Sequence, residues 1–217
     1  MQRRRTNRWK PCNLRLMPEA AIGILGGTFD PVHSAHLALA ETARQRLALE
    51  RVLWIPAGQP RHRDAPRAPA SDRLAMVELA IAGRPGFELY ASEARSDAPS
   101  YTVPTLLLLR ERFGAARPLV LLVGADAFLG LPSWHRWREI FDLAHIAVAT
   151  RPGYVLDTAA MAPELAAEFL QRQHGSVGAA AGAIIPFTLV AGTVSATETR
   201  TMIKAGRDPG DWLPPGI

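Results

Sequence analysis

The sequence predicts a three-layer α/β/α fold in which a mostly parallel sheet lies between two layers of helices. Short apolar segments of strand length alternate with longer segments that have helical patterning, as in chains built from repeated βα units. Residues 119–123 are apolar throughout, which is typical of a central parallel strand covered on both faces. Because crossovers between parallel strands are right-handed, these observations favour a single Rossmann-like domain.

The expected elements alternate along the chain. Strands are predicted at 21–25, 51–55, 87–91, 119–123, 145–149 and 184–190. Helices are predicted at 37–49, 126–129 and 157–173. Another is capped by Ser71 and ends at residue 83, one opens in the segment 100–105 and ends at residue 113, and the last follows a Ser/Thr cluster at 195–199. Residues 56–70 are predicted to form a long loop, and residues 175–182 have no clear pattern.

The composition is that of an ordinary globular protein. The 217 residues are 48% hydrophobic and 21% charged, which is enough for one domain with a sizeable core. No apolar run approaches the roughly 18 residues of a transmembrane helix, so no membrane partner is expected. The single cysteine excludes an internal disulfide and favours a cytoplasmic location.

The positive charge of the chain lies in its first residues. Residues 1–16 contain six Arg or Lys and no acidic residue, and since the whole chain has a net charge of +5, the remainder has −1. We expect residues 1–16 to be a basic, disordered extension and residues 17–217 to be one domain. Either the natural protein starts at Met17 and these residues precede it, or they form a basic arm that binds RNA or another acidic surface. Because the body is nearly neutral, nucleic acid is not favoured as a partner.

The strongest chemical motif spans residues 26–36, with the sequence Gly-Gly-Thr-Phe-Asp-Pro-Val-His-Ser-Ala-His. It lies between the first predicted strand and the first predicted helix. Two glycines let backbone N–H groups approach a phosphate, and the helix start adds free N–H groups and a positive dipole end. His33 and His36 are three residues apart, so one helical face is expected to present both imidazoles to that anion.

A metal site is the alternative interpretation of the two histidines. A glycine turn between strand and helix is common, and a His-x-x-His pair could bind a metal. The other candidate ligands form no matching cluster in the sequence: Cys12, His62, His135, His145 and His174. We therefore expect no metal held by the protein.

The full eleven-residue string resembles the signature of nucleotidyltransferases that carry a His-x-x-His motif. Its Gly-x-Phe-Asp-Pro-x-His form is similar to that of bacterial nicotinate-nucleotide adenylyltransferases. The resemblance implies that His33 and His36 are catalytic. It also implies that the turn binds ATP through four residues: Gly26, Gly27, Thr28 and Phe29.

The predicted loop 56–70 is rich in proline and cations. It is either a solvated linker or a basic flap over phosphates. It resembles the Pro-Pro-His-Lys segment of the family, with His62 at the histidine. Arg63 keeps the charge of the usual lysine, whereas Arg61 stands where proline or an apolar residue is usual.

Other segments of the chain resemble the family's nicotinate mononucleotide site. The resemblance implies that Tyr101 and Thr102 line the pyridine pocket, that Trp134 packs on the ring and that Arg151 faces the phosphate. The alternatives are helix capping for the Tyr-Thr segment and core packing for the tryptophan. We interpret Trp137 as a core residue.

A second phosphate motif is predicted at residues 194–200, where a Ser/Thr cluster opens a helix. It resembles the family's Ile-Ser-Ser-Thr-x-Ile-Arg, which implies that Ser195 and Thr197 bind ATP and that Arg200 is catalytic. The alternative is a capped helix with a surface arginine. Asp126, after the central strand, matches a Gly-x-Asp near the nucleotide in the family, or else caps a short helix.

The resemblance implies adenylyl transfer from ATP to nicotinate mononucleotide, giving deamido-NAD and pyrophosphate. Mg²⁺ is expected to be carried with ATP, and the oligomeric state is not predicted. Alternatives are an adenylyltransferase of the same fold for nicotinamide mononucleotide or phosphopantetheine, or a non-catalytic nucleotide- or RNA-binding protein. The last stays open because Ala196 and Thr199 depart from the second motif. Hydride transfer is disfavoured, since no Gly-x-Gly-x-x-Gly follows the first strand.

Overall fold

The computed structural model describes residues 19–60, 65–190 and 194–217, and it confirms a Rossmann-like α/β fold. Strands occupy eight segments of these residues: β1 (Ile22–Gly27), β2 (Arg51–Pro56), β3 (Gln59–Pro60), β4 (Phe87–Leu89), β5 (Pro99–Ser100), β6 (Leu119–Gly124), β7 (His145–Thr150) and β8 (Ile184–Thr188). Six of them form a central sheet in the order β4-β2-β1-β6-β7-β8, and every pairing in it is parallel. β3 and β5 form a separate two-stranded ladder.

Helices connect the strands of the central sheet. The α-helices of the described residues are α1 (Ser34–Arg46), α2 (Ala70–Ile81), α3 (Thr102–Phe113), α4 (Ala125–Leu129), α5 (Ile140–Leu143), α6 (Pro163–Arg172) and α7 (Ala196–Lys204). Short 3₁₀ turns occupy 131–133, 137–139, 158–160 and 210–212.

Two apolar cores lie on opposite faces of the sheet. Successive residues of a strand point to opposite faces, so Ile24 belongs to one core and Leu25 to the other. Leu121 and Leu122 of β6 divide in the same way. Helices α1 and α2 cover the face of Leu25, whereas α3, α5 and α6 cover the face of Ile24. The sheet is thus buried on both sides, as the apolar strands predicted.

The strand order places a crevice at the carboxyl ends of β1 and β6. From β1 the chain builds outward through β2 and β4, then returns to lay β6 against the other side of β1. The connections after β1 therefore lead toward β2, and those after β6 lead the other way toward β7, which leaves a gap between β1 and β6. Open α/β sheets bind their ligands at such a reversal point.

Several element boundaries differ from those predicted by the sequence. α1 begins three residues earlier than expected and ends at Arg46, because Ala48 adopts a left-handed conformation with φ 49°. α2 begins at Ala70 with Pro69 as its N-cap, so Ser71 is not the cap; its hydroxyl contacts the Asp72 carboxylate inside the first turn. These errors arise because caps depend on backbone angles that composition does not fix.

Other expected elements are shorter or divided. The helix predicted at 157–173 is a 3₁₀ turn capped by Asp157, followed by α6, which starts at Pro163 as proline favours. The loop predicted at 56–70 contains β3, and β4 and β8 end at Leu89 and Thr188. The basic extension lies outside the described residues, so the boundary at residue 17 stays a prediction. No helix in the described ranges is long and apolar enough to cross a bilayer.

Candidate functional site

The turn after β1 is open on one side and packed on the other. Gly26 is exposed, and a Cβ added to it would meet no atom within 4 Å. A Cβ on Gly27 would lie 3.0 Å from the ring of Phe29, so this glycine makes room for that side chain. The two glycines therefore have different roles: one leaves the crevice open, and the other allows the turn to pack on itself.

Phe29 holds the turn in a strained conformation. Its φ is 50°, in the left-handed region that a large side chain rarely adopts and that costs about 1–3 kcal/mol. The ring is 2% exposed and packs against Trp54, with 5.5 Å between centroids, and against the edge of His36, at 5.0 Å. Burial of the ring stabilises the backbone conformation of the turn.

The structure brings His33 and His36 together at the start of α1. His33 is the N-cap of α1, with the extended φ of −145°. Its backbone N–H donates to Nδ1 of His36 at 3.2 Å, and the two rings stack with 3.7 Å between centroids. The three-residue spacing does bring the two imidazoles side by side, with His33 at the cap and His36 in the first turn, and their presentation to an anion stays a prediction.

His33 is neutral at physiological pH. Its residue is 7% exposed, and burial lowers the pKa of the imidazole to about 4. Its Nδ1 is buried and has no hydrogen-bond partner among the described residues. A neutral imidazole offers one N–H donor, and an arriving anion would raise its pKa. The ring is thus suited to an anionic ligand, whereas a buried polar atom of a purely structural histidine is normally paired.

Arg200 connects the second motif to the first. Its guanidinium donates to the carbonyl oxygen of Asp30 at 2.5 Å and to the hydroxyl of Thr197 at 3.2 Å. Ser195 is the N-cap of α7: its hydroxyl accepts the N–H of Glu198 at 3.2 Å and donates to the Glu198 carboxylate at 2.8 Å. Both motifs therefore meet at one edge of the sheet. Contact of these residues with ATP stays a prediction.

Asp126 and Arg151 lie on the same edge. Asp126 is exposed in the first turn of α4, and Gly124 is the N-cap there, so the capping alternative for Asp126 is wrong. Arg151 is exposed directly after β7. Because β1, β6 and β7 are parallel neighbours, the residues that follow them meet at the carboxyl edge.

The predicted nicotinate segments are neighbours in the structure. Tyr101 is the N-cap of α3 and Thr102 is its first residue. The Tyr101 ring lies 4.7 Å from the ring of His135, next to Trp134 in the chain. Trp134 is half-buried against the core, whereas Trp137 is buried inside it, as predicted. Contact of this cluster with a pyridine ring stays a prediction.

The sequence did not indicate Arg73, which is buried behind the turn that follows β1. It is 1% exposed and donates to backbone carbonyls of Thr28, Ala57, Gly58 and Ala68. Burial lowers the pKa of its guanidinium, and the nearby Asp30 carboxylate opposes this effect. In the sequence, Arg73 could be noticed only because it lies on the apolar face of the predicted helix, four residues before the buried Val77.

Glu93 is a second residue that sequence reasoning missed. Burial raises the pKa of its carboxyl, which accepts the Thr105 hydroxyl at 2.5 Å and interacts with Ser100. The Ser100 hydroxyl in turn accepts the N–H groups of Gly58 and Gln59, at 2.9 and 3.3 Å. This network joins the start of α3 to the end of β2. No motif marks Glu93, because its partners are distant in sequence.

The predicted flap is only partly described. His62 and Arg63 lie outside the described residues, and their role stays a prediction. The following segment is held against the turn, because the Asp30 carboxylate accepts the N–H groups of Arg67 and Ala68 at 2.8 and 3.3 Å. Within residues 19–60, 65–190 and 194–217, no three His, Cys, Asp or Glu side chains cluster as metal ligands.

Known proteins are similar to this chain in sequence and in fold. Residues 24–201 match the cytidylyltransferase-like family. A "probable nicotinate-nucleotide adenylyltransferase" of Dechloromonas aromatica is 50% identical over 186 residues, which cover 84% of this chain and 86% of the relative. A protein of the same description from Laribacter hongkongensis is 42% identical over 206 residues, covering 94% of this chain and 93% of the relative.

A solved structure agrees with the fold. The Plasmodium falciparum nicotinic acid mononucleotide adenylyltransferase complexed with NaAD superposes with a TM-score of 0.67 at 14% identity, covering 91% of this chain and 92% of that one. At this identity the likeness shows the fold, and the family assignment comes from the sequence matches. The chain belongs to the cytidylyltransferase-like family and, within it, to the bacterial nicotinate-nucleotide adenylyltransferases.

Proposed function

We propose that this enzyme transfers the adenylyl group of ATP to nicotinate mononucleotide, giving deamido-NAD and pyrophosphate in NAD biosynthesis. The observation that carries the proposal is the meeting of the two phosphate motifs, where Arg200 donates to Asp30 beside the stacked His33 and His36. Relatives that are 42–50% identical over most of the chain support the choice of reaction.

The chemistry needs no protein nucleophile. A phosphate oxygen of nicotinate mononucleotide attacks the α-phosphorus of ATP in line and forms the new P–O bond. The bond from that phosphorus to the bridging oxygen of the β-phosphate breaks, and pyrophosphate leaves with the electron pair. Mg²⁺ enters with ATP and travels with its phosphates. The protein contributes positioning and electrostatic stabilisation of the transferring group.

The first motif supplies donors to the phosphates. The N–H groups of Gly26–Phe29 approach them from the open side of the turn, where Gly26 has no Cβ. His33 and His36 donate to oxygens whose charge grows in the transition state, and Arg200 contributes a fixed positive charge. Asp126, Ser195 and Thr197, on the same edge, contact the rest of ATP.

The nicotinate mononucleotide lies on the other side of the crevice. Trp134 packs on the pyridine ring, the segment of Tyr101 and Thr102 reads its carboxylate, and Arg151 binds the phosphate. His62 and Arg63 cover the phosphates from the flap. We also propose a cytoplasmic location, which rests on the single cysteine.

Substrate preference tests the assignment. The protein is incubated with ATP, Mg²⁺ and either nicotinate mononucleotide, nicotinamide mononucleotide or phosphopantetheine, and pyrophosphate release is measured. We expect kcat/KM for the nicotinate substrate to exceed that for the nicotinamide substrate by at least about 10²-fold, because a wrong substituent leaves buried groups unpaired.

Two variants provide the control for this preference. Trp134→Leu should reduce the preference for nicotinate, since its ring contacts the substrate in the proposal. Trp137→Leu, from the core, should lower the thermal midpoint and leave the preference unchanged. Equal or reversed preference in the wild type would overturn the nicotinate assignment, and absence of pyrophosphate with every acceptor would favour the non-catalytic alternative.

A further inference from the structure

Arg73 binds three separate segments of the site at once. Its Nη1 atom donates to the Thr28 carbonyl at 2.7 Å and to the Ala57 carbonyl at 2.5 Å, and Nη2 donates to Gly58 at 2.9 Å. Its Nε atom donates to Ala68 at 3.2 Å. These carbonyls belong to the turn after β1, the end of β2 and the segment before α2. Only a planar guanidinium can offer donors in so many fixed directions.

The bond to Thr28 fixes the direction of the next N–H group. A trans peptide is planar, so its N–H points opposite to its C=O. The Thr28 carbonyl points inward to Arg73, and the N–H of Phe29 therefore points away from Arg73. Phe29 has its strained φ of 50° in this arrangement. The guanidinium and the buried ring together hold one peptide plane in an orientation that the isolated turn would rarely adopt.

Two of the other peptides that Arg73 binds are held on both sides. The carbonyls of Ala57 and Gly58 accept from Arg73, while the N–H groups that follow them, of Gly58 and Gln59, donate to Ser100. The Phe29 N–H differs, because the described residues provide no backbone carbonyl that accepts it and no side-chain acceptor is seen for it there. It lies in the turn whose open side faces the crevice. A fixed, unpaired N–H group is a donor prepared for an anion.

We propose that Arg73 is a positioning residue that orients the Phe29 N–H as a donor to the phosphate of the bound nucleotide. The identity of that phosphate as part of ATP rests on the proposed function. Arg73 itself is buried and points its donors at backbone carbonyls, so it acts through the turn and does not touch the ligand. The alternative is that Arg73 stabilises the fold alone.

Arg110 provides a matched control for that alternative. It is a partly buried arginine that, like Arg73, donates to backbone carbonyls, among them those of Leu143, Arg117 and Ala180. These residues precede β7, β6 and β8, at the amino edge of the sheet, away from the phosphate turn. Arg110→Lys thus removes the same kind of contact without affecting Thr28.

The experiment observes the Phe29 amide directly. The full chain is labelled with ¹⁵N-phenylalanine, which gives few signals because the sequence has 7 phenylalanines. Phe29→Tyr identifies the signal of interest by removing it. Inorganic pyrophosphate is then titrated into the wild type, Arg73→Lys and Arg110→Lys, and the affinity is obtained from the same spectra. Circular dichroism and the thermal midpoint of each variant are recorded.

In the wild type we expect the Phe29 amide to shift on pyrophosphate binding. In Arg73→Lys that shift should be lost and the affinity should fall roughly 10- to 100-fold, the effect of one hydrogen bond to a charged group. Arg110→Lys should keep the Phe29 shift, and its affinity for pyrophosphate should stay within about twofold of the wild type. This should hold even if its thermal midpoint falls as much as that of Arg73→Lys.

Two results would overturn the proposal. One is a folded Arg73→Lys protein with the wild-type Phe29 response. The other is a wild-type Phe29 amide that stays unperturbed at saturating pyrophosphate, which decides the matter even when the Arg73 variant does not fold. Failure of the proposed reaction is a separate result: a protein that shows the Phe29 response but no turnover of nicotinate mononucleotide would lose its assigned activity and keep the Arg73 role.

Discussion

The two edges of the sheet each contain a buried histidine, but only one of these is fully hydrogen-bonded. His145 begins β7 at the amino edge and is 1% exposed. Its Nε2 donates to the Ala179 carbonyl at 2.7 Å, and its Nδ1 accepts the N–H of Ala183 at 3.0 Å. His33, at the carboxyl edge, has a buried Nδ1 with no partner in the described part of the chain. Burial lowers the pKa of both imidazoles.

The arginines show the same contrast. Arg110 bridges the loops that precede three strands, and the carbonyls of Leu143, Arg117 and Ala180 there accept its hydrogen bonds. Arg73 bridges the loops that follow β1 and β2, and the Phe29 N–H has no backbone acceptor within the part of the chain that the structure describes. The comparison teaches that burial and hydrogen bonding alone do not separate structural from functional polar residues. At the carboxyl edge, what sets His33 apart from His145 is its unpaired Nδ1, since most buried polar atoms of a fold are paired.

The largest expected effect concerns the two paired histidines. His33→Ala and His36→Ala should each lower kcat by roughly 10²–10³, the scale for removing one donor to the transition state. KM for ATP should change less, since the charge on the phosphate oxygens grows mainly in the transition state. Steady-state pyrophosphate release measures both constants, and circular dichroism verifies folding.

His145→Gln is the matched variant at the other edge. It should lower the thermal midpoint, because it disturbs two buried hydrogen bonds, and leave kcat within about twofold. The assignment of a functional histidine to the carboxyl edge and a structural one to the amino edge is wrong if the His33 and His36 variants have the wild-type kcat. It is also wrong if His145→Gln loses kcat as they do.

A smaller effect is expected from a methyl group on the open glycine. Gly26→Ala adds a Cβ where no protein atom lies within 4 Å, so the thermal midpoint should stay unchanged. Because that space is the proposed phosphate crevice, KM for ATP should rise roughly tenfold, or about 1.4 kcal/mol. Gly178→Ala, which also meets nothing within 4 Å but lines the amino edge, should change neither quantity. An unchanged KM in Gly26→Ala would place the phosphates elsewhere.

The smallest effect is on the pH dependence of stability. With a folded pKa of about 4, His33 stays neutral while the unfolded chain takes up a proton below about pH 6.5. The unfolded state thus binds more protons between these values, and stability falls as the pH falls through this window. His33→Gln removes this contribution. Between pH 7 and 5 the wild type should lose about 2–4 °C more in Tm than the variant, which is about 1 kcal/mol after allowance for solvent screening. Parallel Tm curves would contradict the neutral, buried His33.

The sequence alone determined the layers, the parallel sheet and the edge where ligands bind. Alternating apolar strands and helices admit few arrangements, and the apolar strand at 119–123 could only be central. The residues of the first motif were also predicted, since they are contiguous and local geometry brings them together. The spacing of three residues did not reveal that His33 is the N-cap of α1, with the extended φ of −145°.

Only the tertiary structure decided what supports the site. Arg73 is 45 residues from Thr28, and Arg200 is 170 residues from Asp30, so no local pattern could predict either bond. The same holds for Glu93, whose network joins α3 to the end of β2. Sequence patterns report the faces of helices and strands, because those faces repeat along the chain. The direction of one peptide N–H depends on which distant side chain binds the carbonyl before it, and only the folded chain settles that.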